Sequence, residues 1–439
     1  MPLLIVALGI ALLLVLMIGF RLNAFIALII TALLVGVAEG MEPAAALKSI
    51  ENGVGGTLGS IALILGFGAM LGSLVAESGA AQRITYGLVK SFGVKNIPWA
   101  MLLTGLIVGI PMFYNAGFVL LIPIVFSIVA ATKLPSLYVG IPMAAALSVT
   151  HGFLPPHPGP SAIAVIYHAR QDLTLLYGLV LALPAIVIAG PVLGRRLRNV
   201  SVAPPRNLFQ FQELSREQMP GFGISLFSAL LPVVLMGVSA FATLYLPEGS
   251  VLRRIFSLLG DPVMALLLSV LFALYALGIR RGKTMPELMA TLGNAISGIA
   301  MVMLTIGGGG ALKGVLVDSG VGEYIKNVAG AAGLPPLVMA WSVAALLRVS
   351  LGSATVAALT TAGIVLPLIS AGAASPELMV LATGAGSLMF SHVNDPGFWM
   401  FKEYFNLSIG QTFRSWTVME TVVSVVGLAG VLVLEKILF

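Results

Sequence analysis

The sequence places a few ionisable side chains within long apolar stretches, and these residues are the most able to carry chemistry. They are Arg348, Asp395, Glu420, His151, His157 and His392. If the stretches cross a membrane, a charge at depth costs at least ~2.5 kcal/mol and therefore needs a partner. The guanidinium of Arg348 either binds a ligand carboxylate through two hydrogen bonds or pairs with a carbonyl or carboxylate group of the protein itself.

Proton exchange is the second chemistry that these residues suggest. Asp395 follows His392 by three residues, and because histidine titrates near neutrality the pair could exchange a proton with a water-filled cavity. Alternatively, Asp395 caps the helix that follows it. Glu420 is interpreted as structural. His151 and His157 have no acidic neighbour in sequence, so we predict no metal site and no cofactor.

Hydroxyl groups near possible helix breaks suit a polyhydroxylated ligand. They belong to Thr57, Ser60, Ser353 and Thr355, although hydroxyls at such places are often only local caps. The run Gly307-Gly308-Gly309-Gly310 lacks the Lys-Ser/Thr of a phosphate-binding loop and predicts close helix packing instead. Without a nucleotide site, a primary pump within this chain is excluded.

The composition defines the elements that must hold these residues. Of 439 residues, 59% are apolar and only 9% are charged, whereas about a quarter of the residues of a soluble protein are charged. The chain is therefore predicted to be an all-α polytopic membrane protein that binds no nucleic acid. Cysteine is absent, which excludes disulfides and thiolate metal sites.

Twelve apolar segments divide into two sets of six around a polar linker at residues 201–222. A shift of 241 residues aligns His151 with His392 and Pro155 with Pro396, so both halves carry His-x-x-x-Pro. We predict a duplication, with residues 1–200 and 223–439 as the repeats. If the linker is cytoplasmic, most Lys and Arg residues lie on the cytoplasmic side, as the positive-inside rule requires. The halves are then inverted, and both termini face the periplasm.

This topology requires that residues 97–132 and 336–372 do not cross the membrane. Each has a polar or small-residue centre, and arms of about 15 residues reach only ~23 Å of a ~30 Å core. We interpret both as re-entrant hairpins; two short tilted spans each are the alternative. Residues 150–160 and 391–397 break two further helices with prolines. Paired breaks across an inverted repeat are typical of secondary transporters, which bind substrate near the midplane.

At these motifs the sequence resembles the gluconate:proton symporter (GntP) family. The resemblance rests on Thr150-His151-Gly152-Phe153-Leu154-Pro155-Pro156-His157-Pro158-Gly159-Pro160, on Gly352-Ser353-Ala354-Thr355 and on Ser391-His392-Val393-Asn394-Asp395-Pro396-Gly397, and it covers nearly the whole chain. It implies an ion-transporter-superfamily-like fold with five spans and one hairpin per repeat. It also implies elevator-type alternating access, a homodimer, and a place in the bacterial inner membrane.

The resemblance has one departure, at the tip of the first hairpin. Relatives read Phe-Tyr-Glu or Phe-Phe-Glu there, whereas this chain reads Phe113-Tyr114-Asn115. If that glutamate carries the proton, this chain could bind substrate yet couple poorly to protons. Candidate substrate-binding residues are Asn115, Tyr114, Thr57, His151, Arg348, Ser353, Thr355 and Asn394. Candidate proton-coupling residues are Asp395, His392 and Asn115.

Together these features predict a proton-coupled importer of D-gluconate or a related sugar acid. Idonate, fructuronate and D-serine are alternative substrates, since the stereochemistry of the substrate cannot be read from one sequence. A channel would need a continuous polar pore, which paired helix breaks do not favour. A membrane enzyme would need a nucleophile with a base, and Ser353 has no histidine nearby in sequence.

Overall fold

The computed structural model describes residues 2–200, 214–321, 335–370, 374–393 and 395–438. Within these ranges the fold is all-helical. The helices of the first half are Pro2–Leu14, Ala24–Ala38, Pro43–Glu77, Ala80–Phe92, Ile97–Gly109, Tyr114–Thr132, Ser136–Phe153, Pro158–Ile166, Gln171–Val187 and Leu193–Arg196. Those of the second half are Phe222–Tyr245, Val251–Leu259, Pro262–Ala273, Met285–Asp318, Pro336–Leu351, Ala354–Ser370, Pro376–Gly386, Pro396–Tyr404, Ile409–Thr412 and Val418–Leu438.

Among the described residues, eight helices are long and apolar enough to cross a membrane. The chain is therefore a polytopic helical membrane protein, as its composition predicts. Two of the twelve apolar segments, residues 57–76 and 294–316, are shorter than the helices that contain them, Pro43–Glu77 and Met285–Asp318. The apolar pattern missed the polar first turns, which extend each helix to about 50 Å.

These two long helices run antiparallel and hold each other at both ends. The Ser49 hydroxyl donates to Asp318 Oδ2 at 2.5 Å, and at the other end the Thr291 hydroxyl donates to Glu77 Oε2 at 2.7 Å. Between these bonds the backbones nearly touch, because a Cβ at Gly53 would lie 2.3 Å from the Gly310 carbonyl oxygen. The predicted packing role of the Gly307–310 run is thus visible in the structure.

Each half contains an interrupted pair of apolar helices where a hairpin was predicted. Ile97–Gly109 and Tyr114–Thr132 are joined by residues 110–113, and Pro336–Leu351 and Ala354–Ser370 by Gly352 and Ser353. Gly352 has a φ of 72°, a left-handed conformation that glycine adopts without strain. Three of the four arms are about 20 to 26 Å long, shorter than a ~30 Å hydrocarbon core. The fourth, Tyr114–Thr132, is one of the eight helices long enough to cross.

The breaks predicted at the two His-x-x-x-Pro motifs are also present. One helix ends at Phe153 and resumes at Pro158, and the other ends at Gly386 and resumes at Pro396. Each break supplies a histidine to the hairpin of its own half. His157 Nε2 donates to the Gly109 carbonyl at 2.6 Å. His392 Nε2 donates to the Val349 carbonyl at 2.9 Å.

Corresponding helices start about 240 residues apart in the two halves. The division into repeats at residues 1–200 and 223–439 nevertheless stays a prediction, as does their inverted orientation in the membrane. The predicted linker falls largely on residues 201–213, which lie outside the described residues.

Candidate functional site

The two hairpin tips and the two helix breaks meet around one cavity of about 600 Å³. The long helices and the last helix complete its walls. Its polar lining comes from residues of both halves: Ser73, Glu77, Tyr114, Asn115, Ser148, His151, Thr291, Asn294, Arg348, Ser353, Thr355, Asp395, Trp416 and Glu420. The volume lies within the ~300–1,000 Å³ typical of small-molecule sites.

Arg348 and Asp395 form a buried ion pair across this cavity, between the second hairpin and the second helix break. Asp395 is held in place by further bonds, because it also accepts from the Ser391 hydroxyl and from the Gly397 amide. Arg348 uses only Nη2 for the pair. Within the described structure its Nε and Nη1 have no hydrogen-bond partner. Arg348 is thus bridged to a carboxylate and still has two donors to offer.

Glu420 is the second buried carboxyl group of the cavity. It lies on the last helix, Val418–Leu438, and its residue is only 1% exposed. The Ser148 hydroxyl donates to Oε1, while Oε2 has no partner among the described residues. Ser148 belongs to the first broken helix, so this bond joins residues of the two halves.

Aromatic rings form the wall between the two carboxyl groups. The ring of Tyr114 lies 5.6 Å from that of Trp416 and 6.4 Å from that of His151. Trp416 Nε1 donates to the Ser391 hydroxyl at 2.7 Å, which connects the wall to the bonds around Asp395. The first hairpin tip is thereby packed against the second half through ring contacts.

Most of the site residues predicted from the sequence line this one cavity. They are Asn115, Tyr114, His151, Arg348, Ser353, Thr355 and Asp395. Their positions are observed, whereas their roles in binding or proton coupling stay predictions. Among the described residues, no group of three His, Asp or Glu side chains is placed to hold a metal ion.

Three predicted residues are not placed in the cavity. Thr57 is buried between the long helices, where its hydroxyl packs against Gly310. His392 points to the second hairpin and bonds the Val349 carbonyl instead of lining the site. Asn394 lies outside the described residues. The structure thus places Thr57 and His392 outside the cavity lining, while their predicted roles in binding and proton coupling stay predictions.

Sequence reasoning missed several residues that line the cavity, namely Ser73, Glu77, Ser148, Thr291, Asn294 and Trp416. It also assigned Glu420 to structure alone. For Glu420 the sequence offered one signal, an acidic residue within an apolar segment, which by default indicates a functional site. The polar residues of the long helices gave no signal at all, since they lie in amphipathic turns of ordinary appearance.

The sequence matches the profile of the GntP family permeases over residues 1–437. The chain belongs to this permease family. It is 55% identical to the high-affinity gluconate transporter of Escherichia coli K12 and 55% identical to the Gnt-II system L-idonate transporter of the same strain, over the full length of each chain. A gluconate permease of Bacillus subtilis is 49% identical, also over its full length.

Two solved structures share the fold of this GntP permease at low sequence identity. MtrF of Neisseria gonorrhoeae, from a class of antimetabolite efflux pumps, superimposes with a TM-score of 0.66 over 94% of both chains at 14% identity. The YdaH transporter of Alcanivorax borkumensis gives 0.59 at 18% identity, over 88% of this chain and 87% of its own. Because the family and the relatives at 49–55% identity are named transporters or permeases, the prediction of a transporter rather than an enzyme is confirmed.

Proposed function

We propose that this permease imports D-gluconate or a closely related sugar acid together with protons. The observation that carries the proposal is the half-paired guanidinium of Arg348, a residue that lines the cavity while its Nε and Nη1 have no partner among the described residues. A planar guanidinium binds a carboxylate through two parallel bonds, which here come from Nη1 and from the second hydrogen of Nη2, whose first hydrogen bonds Asp395. The high identity to gluconate and idonate transporters supports a sugar acid as the anion.

The rest of the cavity suits the polyol part of such a substrate. Ser353 and Thr355 at the second hairpin tip, Asn115 at the first, and Asn294 on a long helix all line it. These amide and hydroxyl groups can both donate and accept hydrogen bonds, as a chain of hydroxyl groups requires. The tyrosine and tryptophan rings provide the apolar wall against which the carbon chain packs.

The charges of the cavity support coupling to protons. Arg348 is already neutralised by Asp395, and Glu420 adds a further acidic group. An anion entering beside ionised Glu420 meets net negative charge, so protonation favours its binding. One proton carried with a monoanion moves no net charge, so the pH difference drives this import; each further proton adds ~2.3 kcal/mol per 100 mV.

Alternating access in this proposal follows from the paired architecture. Residues 1–200 and 223–439 form inverted repeats in the inner membrane, with both termini periplasmic, and the hairpins and broken helices move as an elevator against a dimeric scaffold. The cavity reaches Glu77 and Thr291 at one end of the long-helix pair. With the polar linker on the cytoplasmic side, as we propose, this end is also cytoplasmic and the cavity opens inward.

L-Idonate is the second candidate substrate, because one of the relatives at 55% identity is named for it. Purified protein in liposomes, loaded at a pH one unit above the outside, tests both substrates. We expect accumulation of labelled gluconate that a protonophore abolishes, with unlabelled gluconate or idonate competing. Uptake that ignores the pH gradient would exclude proton coupling, and failure of both sugar acids to compete would exclude the substrate class.

A further inference from the structure

The cavity contains two acidic side chains that differ in how completely they are paired. Asp395 is engaged by Arg348, by the Ser391 hydroxyl and by the Gly397 amide. Glu420 is engaged by the Ser148 hydroxyl alone, and its Oε2 has no partner among the described residues. A buried carboxylate without a cation or a second donor is poorly stabilised, whereas a protonated carboxyl is tolerated there. The two acids therefore suit different tasks.

The groups that face Glu420 leave it without a cation of its own. Tyr114 of the first hairpin, His151 of the first broken helix, Arg348 of the second hairpin and Asp395 of the second break line the same cavity. The guanidinium is paired with Asp395, while Glu420 Oε2 has no partner among the described residues. Four other elements pack on the last helix, namely Gln171–Val187, Ile188–Val192, Pro376–Gly386 and Phe413–Thr417, and their described residues add no charged side chain to the cavity lining.

We propose that Glu420 is the residue that carries the coupled proton in this chain. Asp395 instead serves as the permanent counter-ion that orients Arg348 toward the substrate carboxylate. This inference rests on the proposed function, since it assigns a residue to proton-coupled sugar acid import. It also accounts for Asn115, because a chain with an amide at the first hairpin tip still holds an ionisable carboxyl in the same cavity.

Ser148 suits this role because its hydroxyl can bond both forms of the carboxyl group. It donates to Glu420 Oε1 when the carboxyl is ionised and can accept from the protonated acid by rotating about its C–O bond. The contact between the first broken helix and the last helix is thus kept in both protonation states of Glu420. Substrate entry from the cavity then needs no rearrangement of these two helices beyond that rotation.

The test compares Glu420→Gln with wild type in liposomes through two measurements. The first is gluconate accumulation driven by a pH gradient, for which each coupled proton gives up to about tenfold accumulation per pH unit. The second is exchange of internal for external gluconate at equal pH, which needs no net proton movement. We expect the variant to lose accumulation and to keep exchange within about threefold of wild type, because the amide imitates the protonated acid.

Two further variants complete the design. Glu435→Gln changes an acid on the same helix that does not line the cavity and is expected to accumulate gluconate normally. Ser148→Ala is expected to keep coupling, with its pH dependence displaced. Retained pH-driven accumulation in Glu420→Gln overturns the inference, as does loss of exchange together with accumulation, which marks a structural role. A wild type without pH-driven accumulation refutes the proposed function itself, and the inference with it.

Discussion

Replacing Arg348 with methionine separates what its ion pair does for stability from what its free donors do for binding. The pair is buried, with side-chain exposures of 4% for Arg348 and 11% for Asp395. Removing the guanidinium leaves the Asp395 carboxylate with the Ser391 hydroxyl and the Gly397 amide only. Breaking a buried pair in this way destabilises a protein by about 3–5 kcal/mol.

The double variant Arg348→Met/Asp395→Asn should recover most of that loss. The asparagine amide oxygen can still accept from the Gly397 amide, and its NH₂ group can donate to the Ser391 hydroxyl, so no charge is stranded. We expect its free energy of unfolding to return to within ~1 kcal/mol of wild type, because neutral replacement of a buried pair is often tolerated. In both variants the affinity for gluconate should be about 10- to 150-fold lower than in wild type, because each lacks a charged hydrogen bond worth ~1.5–3 kcal/mol.

The measurements are unfolding by a denaturing detergent in mixed micelles, followed by tryptophan fluorescence, and gluconate binding by calorimetry. Arg170→Met is the matched control, because Arg170 also pairs with an aspartate, Asp172, but its side chain is 43% exposed. It should change stability by less than ~1 kcal/mol. Equal stability of Arg348→Met and Arg170→Met would refute the pairing argument. Unchanged gluconate affinity in Arg348→Met would refute the assigned substrate contact.

Three further substitutions test other parts of the structure. Asn115→Glu should weaken gluconate binding ~10-fold at neutral pH and less at acidic pH, since it adds an ionisable carboxyl group at the cavity. Calorimetry measures the affinity at each pH, and an affinity equal to that of wild type at every pH would contradict this prediction. Gly53→Ala should destabilise the protein by ~1–3 kcal/mol, because the added methyl group overlaps with Gly310. Gly55→Ala is the control and should not destabilise the protein, since Gly55 has open space around it. Equal melting temperatures of the two variants would contradict this prediction. His392→Ala should lower stability by ~1 kcal/mol but keep gluconate affinity within threefold, and a larger affinity loss in calorimetry would place His392 in the site.

Much of the local architecture can be predicted from the sequence, because local patterns cause it. The interruption at residues 110–113 contains Pro111 and is followed by Tyr114 and Asn115, and the one at residues 352–353 consists of a glycine and a serine. The two helix breaks fall at prolines, whose missing N–H and fixed φ disfavour a continuous helix. Proline alone does not decide the matter, because Pro123 and Pro142 lie inside continuous helices. The long helices Pro43–Glu77 and Met285–Asp318 were underestimated, because apolarity marks the lipid-facing length of a helix and not its full extent.

The site was only partly predictable, since hydrogen-bond partners depend on distant residues. His392, a candidate for proton coupling, bonds the Val349 carbonyl on the hairpin backbone and does not line the cavity. Thr57, a candidate for substrate binding, is buried against Gly310. In both cases the residue type is suitable, and the direction in which its side chain points decides the matter.

The amino-acid sequence alone determined that this chain is a helical membrane protein with paired breaks and a few acids and one arginine inside apolar segments. Those properties depend on composition and on neighbours within a helical turn or two. Only the tertiary structure decided that Arg348 pairs with Asp395, 47 residues away, and that Ser148 meets Glu420, 272 residues away. Such pairs form only after distant helices have packed together, within the second half for Arg348 and Asp395 and between the two halves for Ser148 and Glu420. That packing separates the paired acid from the one left free to bind a proton.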